Sequence, residues 1–367
     1  MKDAAGSPIL DSYEAYGCRL NATDPCELFK RYEAAGFLYP AKKRSLAPYM
    51  AMVLENWRRA ARAGELIHWF ASFESSDRDA WASISSWRST HDGWNTQHLV
   101  GMGSPVASRA VMLAGQAVRI RDQRDLAHQN WFRPENRFAN KIFGSLVTSI
   151  GAAHSAVIGH NYLRYPLDRA RVGDSTRGRL TSVHAGRDAG FLELALRVRG
   201  SVFVTAEELD RDDILLDAVD QLYRLVGLRR YRRIVTASLP GRSVPGGAAI
   251  IWRGPLGFNF SFLENRCDLL LDPAATDEQA SAIVSALIGA AASEYADFLP
   301  RAIPIVADPR ASAIVQSLGG EFIRHYAQSI WLKAGYVGWY RHVEQFYEGV
   351  MQREACRAAA AVREEAS

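Results

Sequence analysis

The chain has 367 residues, of which 48% are hydrophobic and 23% charged, and its formal net charge at pH 7 is +4. This composition is that of a folded globular protein and excludes an intrinsically disordered chain, while the length suits two domains. The small positive charge permits a nucleic acid partner but does not require one.

The cysteines are scattered through the chain without C-x-x-C spacing, which predicts neither a zinc site nor a disulfide framework. They are Cys18, Cys26, Cys267 and Cys356. The first residues contain no apolar run suited to a signal peptide, and no stretch of about 18 apolar residues predicts a membrane span. We therefore expect a cytoplasmic protein with no bound metal and no membrane contact.

In the first half, apolar periodicity predicts two helices followed by an antiparallel meander of three strands. The predicted helices cover residues 25–35 and 45–63, with a short apolar strand over 36–40. The predicted strands cover residues 66–74, 79–89 and 94–99, separated by polar turns.

The segment Trp94–Ala114 reads as a strand, a glycine-bearing turn over residues 100–103, and a helix that begins at Ser104-Pro105 and runs to about Ile120. Unpaired backbone amides before a helix N-terminus favour a phosphate or another anion. The alternative is a plain strand-to-helix turn, because a single Gly-x-Gly is a weak signal.

After this segment the first half continues as strand, helix and strand, and the second half repeats the same succession of elements. The predicted first-half elements cover residues 130–133, 134–146 and 155–165, and residues 166–190 read as a linker. Helices are predicted over residues 212–226, 276–298 and 309–318, and strands over 234–239, 247–253, 256–262, 267–271, 303–307 and 322–333. The repeated order indicates an internal structural duplication.

This order resembles the fold of the GNAT superfamily of N-acetyltransferases, and two copies resemble a tandem member. The resemblance rests on the meander, on Val100-Gly-Met-Gly103 before a helix, and on Phe132-Arg-Pro-Glu-Asn136-Arg-Phe-Ala139. In the second copy, Asp308-Pro-Arg-Ala-Ser-Ala313 and Leu318-Gly-Gly-Glu-Phe322 resemble the corresponding place. The resemblance implies an α/β (α+β) fold class, with two tandem GNAT-like domains that each have a mixed, mostly antiparallel, splayed sheet flanked by helices.

The domain boundaries that follow are a lead over residues 1–24, a donor-binding domain over 25–165, a linker over 166–204, a second domain over 205–345, and a helix and tail over 346–367. The resemblance also implies acyl-CoA or acetyl-CoA as the donor, with its pyrophosphate on the loop and its pantetheine along the strand ending at Val100. The implied donor-binding residues are Leu99, Val100, Gly101, Met102, Gly103, Ser104 and Asn136.

The chain departs from the family pattern at two places in the first copy. Gln97 stands one residue further from the glycines than the family's loop residue. The family's frequent tyrosine acid is replaced by Phe143, and by Ser317 in the second copy. In the second copy the loop also lacks Gly-x-Gly, and Asp277 and Glu278 would repel a phosphate, which predicts a scaffold or acceptor-side domain.

Acyl transfer needs a base for the nucleophile and an acid for the leaving group. His98 is the first candidate base, since its ordinary pKa is near neutrality, and Glu74 is the second. Tyr162, beside His160 and near Tyr165, is the candidate acid. Packing or solvation is the alternative role of each of these side chains.

The sequence thus favours an acyltransferase that moves an acyl group from a thioester donor to a small-molecule amine or hydroxyl acceptor. One alternative is an aminoacyl-tRNA-dependent transferase of the same fold, because the basic run Arg229-Arg-Tyr-Arg-Arg233 could contact an RNA or a carrier protein. A solvated turn before a strand is the favoured interpretation of this run. Another alternative is a non-catalytic ligand-binding or regulatory protein, because both expected tyrosines are absent. The acceptor, the acyl length and the oligomeric state stay open.

Overall fold

The computed structural model describes residues 12–121, 126–170, 182–185 and 190–365. Within these residues all strands belong to one sheet of twelve. The first six, in chain order, are β1 (Cys18–Leu20), β2 (His68–Glu74), β3 (Trp81–Arg88), β4 (Gly93–Met102), β5 (Ala127–Phe132) and β6 (Ser155–Pro166). The others are β7 (Ser182–Ala185), β8 (Tyr231–Ser238), β9 (Gly247–Arg253), β10 (Cys267–Leu271), β11 (Ala302–Ala307) and β12 (Glu321–Leu332).

Helices cover both faces of this sheet. Those of the first half are α1 (Pro25–Ala34), α2 (Pro40–Leu46), α3 (Met50–Ala63), α4 (Pro105–Arg121), α5 (Arg137–Phe143) and α6 (Leu146–Ile150). Those of the second half are α7 (Phe191–Arg199), α8 (Ser201–Ala206), α9 (Asp217–Arg224), α10 (Asp277–Ala291), α11 (Pro309–Ser317) and α12 (Tyr336–Glu365). Among the helices of the described residues, none combines the length and the apolar character that crossing a bilayer requires.

Local sequence signals set several helix ends. Asp24 accepts a hydrogen bond from the Cys26 amide at the start of α1, which begins with a proline. Thr276 and Gln279 form a complete capping box at the start of α10. These ends agree with the helix starts predicted at Pro25 and Thr276.

The two halves exchange their last strands. The sheet order is β1-β2-β3-β4-β5-β12-β6-β11-β10-β9-β8-β7. Strand β12 of the second half pairs with β5 of the first, and β6 of the first half pairs with β11 of the second, all antiparallel. Strands β6 and β12 also pair with each other, so the two repeats form one continuous sheet.

In each half, two parallel strands pair briefly and then diverge. Strands β4 and β5 pair only from Gly93–Asn95 to Ala127–Gln129, and β10 and β11 pair at only two positions. Strand β4 also contains a bulge at His98, whose φ is +56°, because one extra residue lies between the partners of Ser83 and Ser85. The predicted α/β (α+β) fold class, with mixed, mostly antiparallel and splayed strands flanked by helices in each half, is confirmed, and the sheets of the two halves are joined into one.

A hydrophobic core lies on each face of the sheet. On one face, α1 and α3 pack with second-half residues, so that Trp57 and Phe260 belong to the same core. On the other face, α4 packs with α12, and Val111, Trp339 and Phe143 share a core. The first-half site described below therefore lies between elements of both halves.

Several predicted elements differ from the structure. Residues 36–39 and 256–262 form turns and bends rather than strands, and Pro40 begins α2; Gly36 and Gly257 interrupt the alternating pattern. The predicted helix over 45–63 is two helices, α2 and α3, and the glycine turn over 100–103 begins later, because β4 continues to Met102.

Parts of four predicted segments lie outside the described residues. These parts are residues 1–11 of the lead, 122–125 of the first domain, 171–181 and 186–189 of the linker, and 366–367 of the tail. Within the predicted linker, residues 182–185 form β7 and residues 191–206 form α7 and α8.

Candidate functional site

A pocket of about 290 Å³ lies where β4 and β5 diverge. Its walls include Gln97, His98 and Leu99 of β4 and residues 130–132 of β5. The α1–α2 turn closes one side, and α5 with Asn136 closes the other. The second half contributes residues 259–261 and strand β12, so the strand exchange completes this pocket.

Two side chains bridge the diverging strands inside the pocket. With its amide oriented to satisfy both bonds, Gln97 donates to the Trp131 carbonyl at 3.1 Å and accepts from the Trp131 amide at 2.5 Å. Asn130 Nδ2 donates to the Thr96 carbonyl at 2.6 Å. The main-chain groups of β5 that face the gap are thus already hydrogen-bonded, and any ligand that pairs with Trp131 must displace Gln97.

His98 lies at the bulge with its ring inside an aromatic cluster. The ring stacks on Phe260 with centroids 4.2 Å apart and on Trp57 at 5.5 Å. Its Nδ1 shares a hydrogen bond of 3.0 Å with Ser85 Oγ. Burial, together with the charge of Lys42, holds the pKa of His98 well below its usual value, so the imidazole is neutral at pH 7 and a weak base.

Three cationic side chains surround Tyr39 at the mouth of the pocket. Arg324 of β12 donates to the Tyr39 hydroxyl at 3.3 Å. Arg133 lies 5.7 Å from the centre of the Tyr39 ring, and Lys42 of α2 lies 5.3 Å from it. Burial, with the charges of Arg133 and Arg324, lowers the pKa of Lys42 to about 7. Lys42 also lies 3.9 Å from the centre of the Phe37 ring.

Hydroxyl groups line the wall beside these cations. Tyr326 and Ser261 share a hydrogen bond of 2.6 Å, and both line the pocket. Tyr162, the predicted acid, lies behind them and donates to the Ser261 carbonyl at 2.8 Å. Burial raises the pKa of Tyr162 to about 12 and also raises that of Tyr326. Both tyrosines therefore stay protonated at neutral pH, and Tyr326 is the one that lines the pocket.

Leu99 lines the pocket, whereas residues 100–104 of the predicted donor-binding loop lie next to it and do not line it. Val100 is buried and pairs with Ser83, while Gly101 and Met102 pair with Ala82 and Trp81 of β3. Gly103 has a φ of +73°, and a Cβ there would come within 2.0 Å of the Asp79 carbonyl oxygen.

Ser104 satisfies part of the N-terminus of α4. Its Oγ accepts from the Val106 amide at 3.2 Å, and its carbonyl accepts from Ala107 at 3.3 Å. A shallow groove beside the loop carries Asp77 and Asp79. An anion would therefore meet the loop from the side away from these carboxylates.

The remaining predicted residues are divided between the pocket and other places. Asn136 lines the pocket and caps α5 by accepting from the Phe138 and Ala139 amides, both at 3.1 Å. Glu74 lies outside the pocket, with ion pairs to Arg31 at 3.3 Å and Arg19 at 3.8 Å. Glu74 therefore takes part in ion pairs at the end of β2 and does not reach the pocket.

The equivalent loop of the second half is closed by its own side chains. Asp272 accepts from the Ala274 amide and pairs with Arg197 and Arg242 at 3.4 and 3.3 Å. Thr276 accepts from the Gln279 amide. Its amides and charges are thus already satisfied within the protein.

The basic run at residues 229–233 is not a solvated turn. Arg230 and Arg232 are fully buried on or beside β8, and Arg230 pairs with Glu264 at 2.5 Å. The exposed Arg229 pairs with Asp220 at 2.9 Å. The run therefore stabilises the second half and presents no cluster of free cations.

The chain is distantly similar to several solved protein structures. No protein-family model and no curated protein matches the chain. A solved Drosophila protein is similar over 87% of this chain and 99% of its own, with 12% identity and a TM-score of 0.42. A tandem GNAT protein from the clavulanic acid biosynthesis pathway is similar over 76% of this chain and 88% of its own, with 10% identity and a TM-score of 0.36.

A GCN5-related N-acetyltransferase from Sphaerobacter thermophilus is similar over 73% of this chain and 81% of its own, with 9% identity and a TM-score of 0.36. The fold of this chain is GNAT-like. This assignment stands on the chain's own strand order and splay, because the likenesses are too distant to support it. The described residues contain no cluster of three or more potential metal ligands.

The cationic part of the site was not predicted from the sequence. Tyr39 lies in the segment 36–40 that was predicted as a strand, and Lys42 lies between that segment and the helix predicted from residue 45. Arg324 is 285 residues away from Tyr39. Of these residues, Arg133 alone belongs to a segment on which the family resemblance rests, residues 132–139. A search for cations that follow the β5-like strand of the first repeat would have found Arg133 alone.

Proposed function

We propose that the chain is an acyltransferase that binds a thioester donor in the β4–β5 splay and transfers its acyl group to an amine or hydroxyl acceptor. The observation that carries the proposal is the pocket at the β4 bulge, which opens between two strands and reaches both faces of the sheet. A bulge leaves main-chain groups outside the strand ladder, where they can meet a ligand. Acetyl-CoA or a longer acyl-CoA is the proposed donor, and the cytoplasm is the proposed location.

The donor would lie along residues 99–104, with its phosphates at Ser104 and its pantetheine beside Leu99 and Asn136. The N-terminus of α4 favours a negative charge at this position. For the pantetheine amides to reach β5, the Gln97 side chain would have to leave Trp131.

Transfer to an amine would proceed by attack of the nitrogen on the thioester carbonyl carbon, followed by cleavage of the carbon–sulfur bond. Lys42 Nζ would accept the proton of the attacking amine, since its lowered pKa makes it a base near neutrality. The Tyr326 hydroxyl would give a proton to the leaving thiolate and recover it from solvent. This assignment replaces His98 as the preferred base, because the pKa of His98 is too low.

One experiment tests the donor site without disturbing the fold. Ser104→Asp keeps a side chain that caps α4 but adds a negative charge, whereas Ser104→Asn keeps the cap without the charge. We expect Ser104→Asp to weaken coenzyme A binding in native mass spectrometry by about tenfold or more, and Ser104→Asn to leave it nearly unchanged. Equal binding by both variants and the unmodified chain would overturn the donor assignment. Substitution of Gly103 is less informative, because any Cβ there clashes with Asp79.

A non-catalytic ligand-binding protein is the second candidate, and Gln97 favours it. The side chain closes the gap that a donor arm needs. Coenzyme A binding without thiol release from acetyl-CoA, across a panel of small amines and alcohols, would support this candidate over the transferase. The tRNA-dependent alternative loses its motivating observation, because the basic run is largely buried or paired.

A further inference from the structure

We propose that the acceptor carries an anionic group, a carboxylate in a small amino acid or a related amine, and that Arg133 and Arg324 bind it. That the bound molecule is the acyl acceptor rests on the proposed function. The anion site itself is argued from geometry alone. The acyl group would go to the amine of the same molecule.

The first argument is that the cations surround the same ring and line the same pocket. The ring of Tyr39 lies 5.7 Å from Arg133 and 5.3 Å from Lys42, and its hydroxyl accepts from Arg324. Arg133 and Arg324 come from opposite halves of the chain: Arg133 directly follows β5, and Arg324 lies on β12, the neighbour of β5 in the sheet. Two guanidinium groups beside one pocket suit the planar, two-oxygen geometry of a carboxylate.

The second argument is that these cations form no direct ion pair among the described residues; the charge of Glu135 acts on Arg324 without one. Among the described residues, no carboxylate forms an ion pair with Lys42, Arg133 or Arg324, and the pocket lining contains neither aspartate nor glutamate. Elsewhere buried arginines are held by acceptors of the protein: Arg230 pairs with Glu264 and Arg266 with Asp268, while Arg232 donates to main-chain carbonyls. A cluster of like charges in a partly buried site raises the free energy of the empty protein, and a bound anion would lower it.

The third argument concerns which ligand supplies the anion. The pocket lining includes Leu99 but none of residues 100–104, where the donor's phosphates are expected. The cations instead lie on the face covered by α1 and α2, with Lys42 near Phe37 and Phe260. The charge at this end therefore fits the acceptor rather than the donor.

Isothermal titration of the full chain with malonate, and with its neutral analogue malonamide, tests the site without any turnover. We expect malonate to bind in a saturable way and malonamide not to bind. The double variant Arg133→Gln with Arg324→Gln should weaken malonate binding about tenfold to a hundredfold, because each charged hydrogen bond is lost. Arg137→Gln is the matched control, since Arg137 is exposed on the neighbouring helix α5, and it should change binding by less than about twofold.

A second set of titrations tests whether the cations bind the donor or the acceptor, and controls for misfolding of the variants. Coenzyme A and pantetheine, which lacks the phosphates, are titrated into the same variants, and Arg324→Lys tests whether charge alone is sufficient. Loss of coenzyme A binding with unchanged pantetheine binding in the double variant would assign the cations to the donor and overturn the proposal. So would equal binding of malonate and malonamide, or unchanged malonate binding in a double variant whose thermal unfolding midpoint matches the unmodified chain.

Failure of the proposed function gives a different result. The chain would then release no thiol from acetyl-CoA with any amine, while malonate binding and its loss in the double variant would persist. If the chain is active, amines with a carboxylate should show a higher kcat/KM than the same amines without one, and the difference should disappear in the double variant.

Discussion

The side chain of Gln97 pairs with the main chain of Trp131 as a neighbouring strand would, through one donated and one accepted hydrogen bond at 3.1 and 2.5 Å. This pairing holds β4 and β5 together beyond the point where their own ladder ends at Asn95 and Gln129. A donor arm in the splay competes with it directly.

Gln97→Ala should therefore bind coenzyme A several-fold more tightly than the unmodified chain. The substitution removes the competing amide, at a cost in the free energy of unfolding of about 1 kcal/mol per lost hydrogen bond. Isothermal titration measures the affinity, and Gln316→Ala, on α11 of the second half, is the control. Unchanged or weaker binding in Gln97→Ala would mean that the donor does not pass between Gln97 and Trp131.

Lys42→Met should reduce kcat by about a hundredfold or more if Lys42 accepts the proton of the acceptor. The pKa of Lys42 is about 7, so the fraction of neutral amine, and with it the rate, should rise as the pH increases through 7. The pH profile of kcat/KM measures this rise, which should be absent from Lys42→Met. Lys43→Met is the matched control, because Lys43 is exposed and pairs with Glu33 outside the pocket.

His98→Asn separates the two candidate bases. Asparagine tolerates the positive φ of residue 98, so the bulge can persist. We expect the rise in rate near pH 7 to remain in this variant, because the pKa of His98 lies well below that range. A profile in which only His98→Asn loses the rise would return the role of base to His98.

Acid should destabilise the protein as the pH falls below about 6.5, the ordinary pKa of histidine. Burial lowers the pKa of His68 to about 3 and that of His98, His128 and His160 well below its usual value. Below pH 6.5 the unfolded chain therefore binds more protons than the folded one, and the free energy of unfolding decreases with falling pH. For His68 alone this loss reaches about 4 kcal/mol near pH 3.

Urea unfolding at a series of pH values between 7.5 and 4 measures this loss, and His68→Phe should reduce its slope. His68 is fully buried between Trp57 and Phe258, and neither of its ring nitrogens has a hydrogen-bond partner among the described residues. A phenylalanine suits that place without titrating. His325→Gln, at an exposed position, should leave the slope unchanged, and an equal slope in His68→Phe would contradict the assignment.

The sequence predicted the local elements correctly where glycine, proline or capping residues mark their ends. Strands β9 and β10 begin and end at the predicted residues, because Gly247 and Pro273 lie at or beside their ends. The helix at Pro105 and the meander before it were also predicted correctly. Alternation and capping depend on neighbouring residues, and those are visible in a single sequence.

The exchanged strands and the cationic site depend on distant partners, which local patterns do not encode. The pattern of residues 322–333 predicts a strand but not that β12 joins β5 rather than β11. Arg230 and Arg232 read as solvated charges, although buried acceptors such as Glu264 satisfy them. For the same reason the sequence did not predict the role of Arg324, whose partner Tyr39 is near the other end of the chain.

The exchange of strands predicts that neither half folds alone. An isolated first half, cut after β6, would leave β5 without β12, and one edge of β6 would lose ten paired positions. The second half would lose the partner of β11 in the same way. Because unpaired edges and exposed apolar faces disfavour the folded state, each half expressed separately should be unfolded or aggregated, and the two together should associate into one native sheet. Circular dichroism and size-exclusion chromatography of the separate and co-expressed halves measure this, with the intact chain as the control. A cooperative thermal transition of either half by itself would contradict the shared sheet.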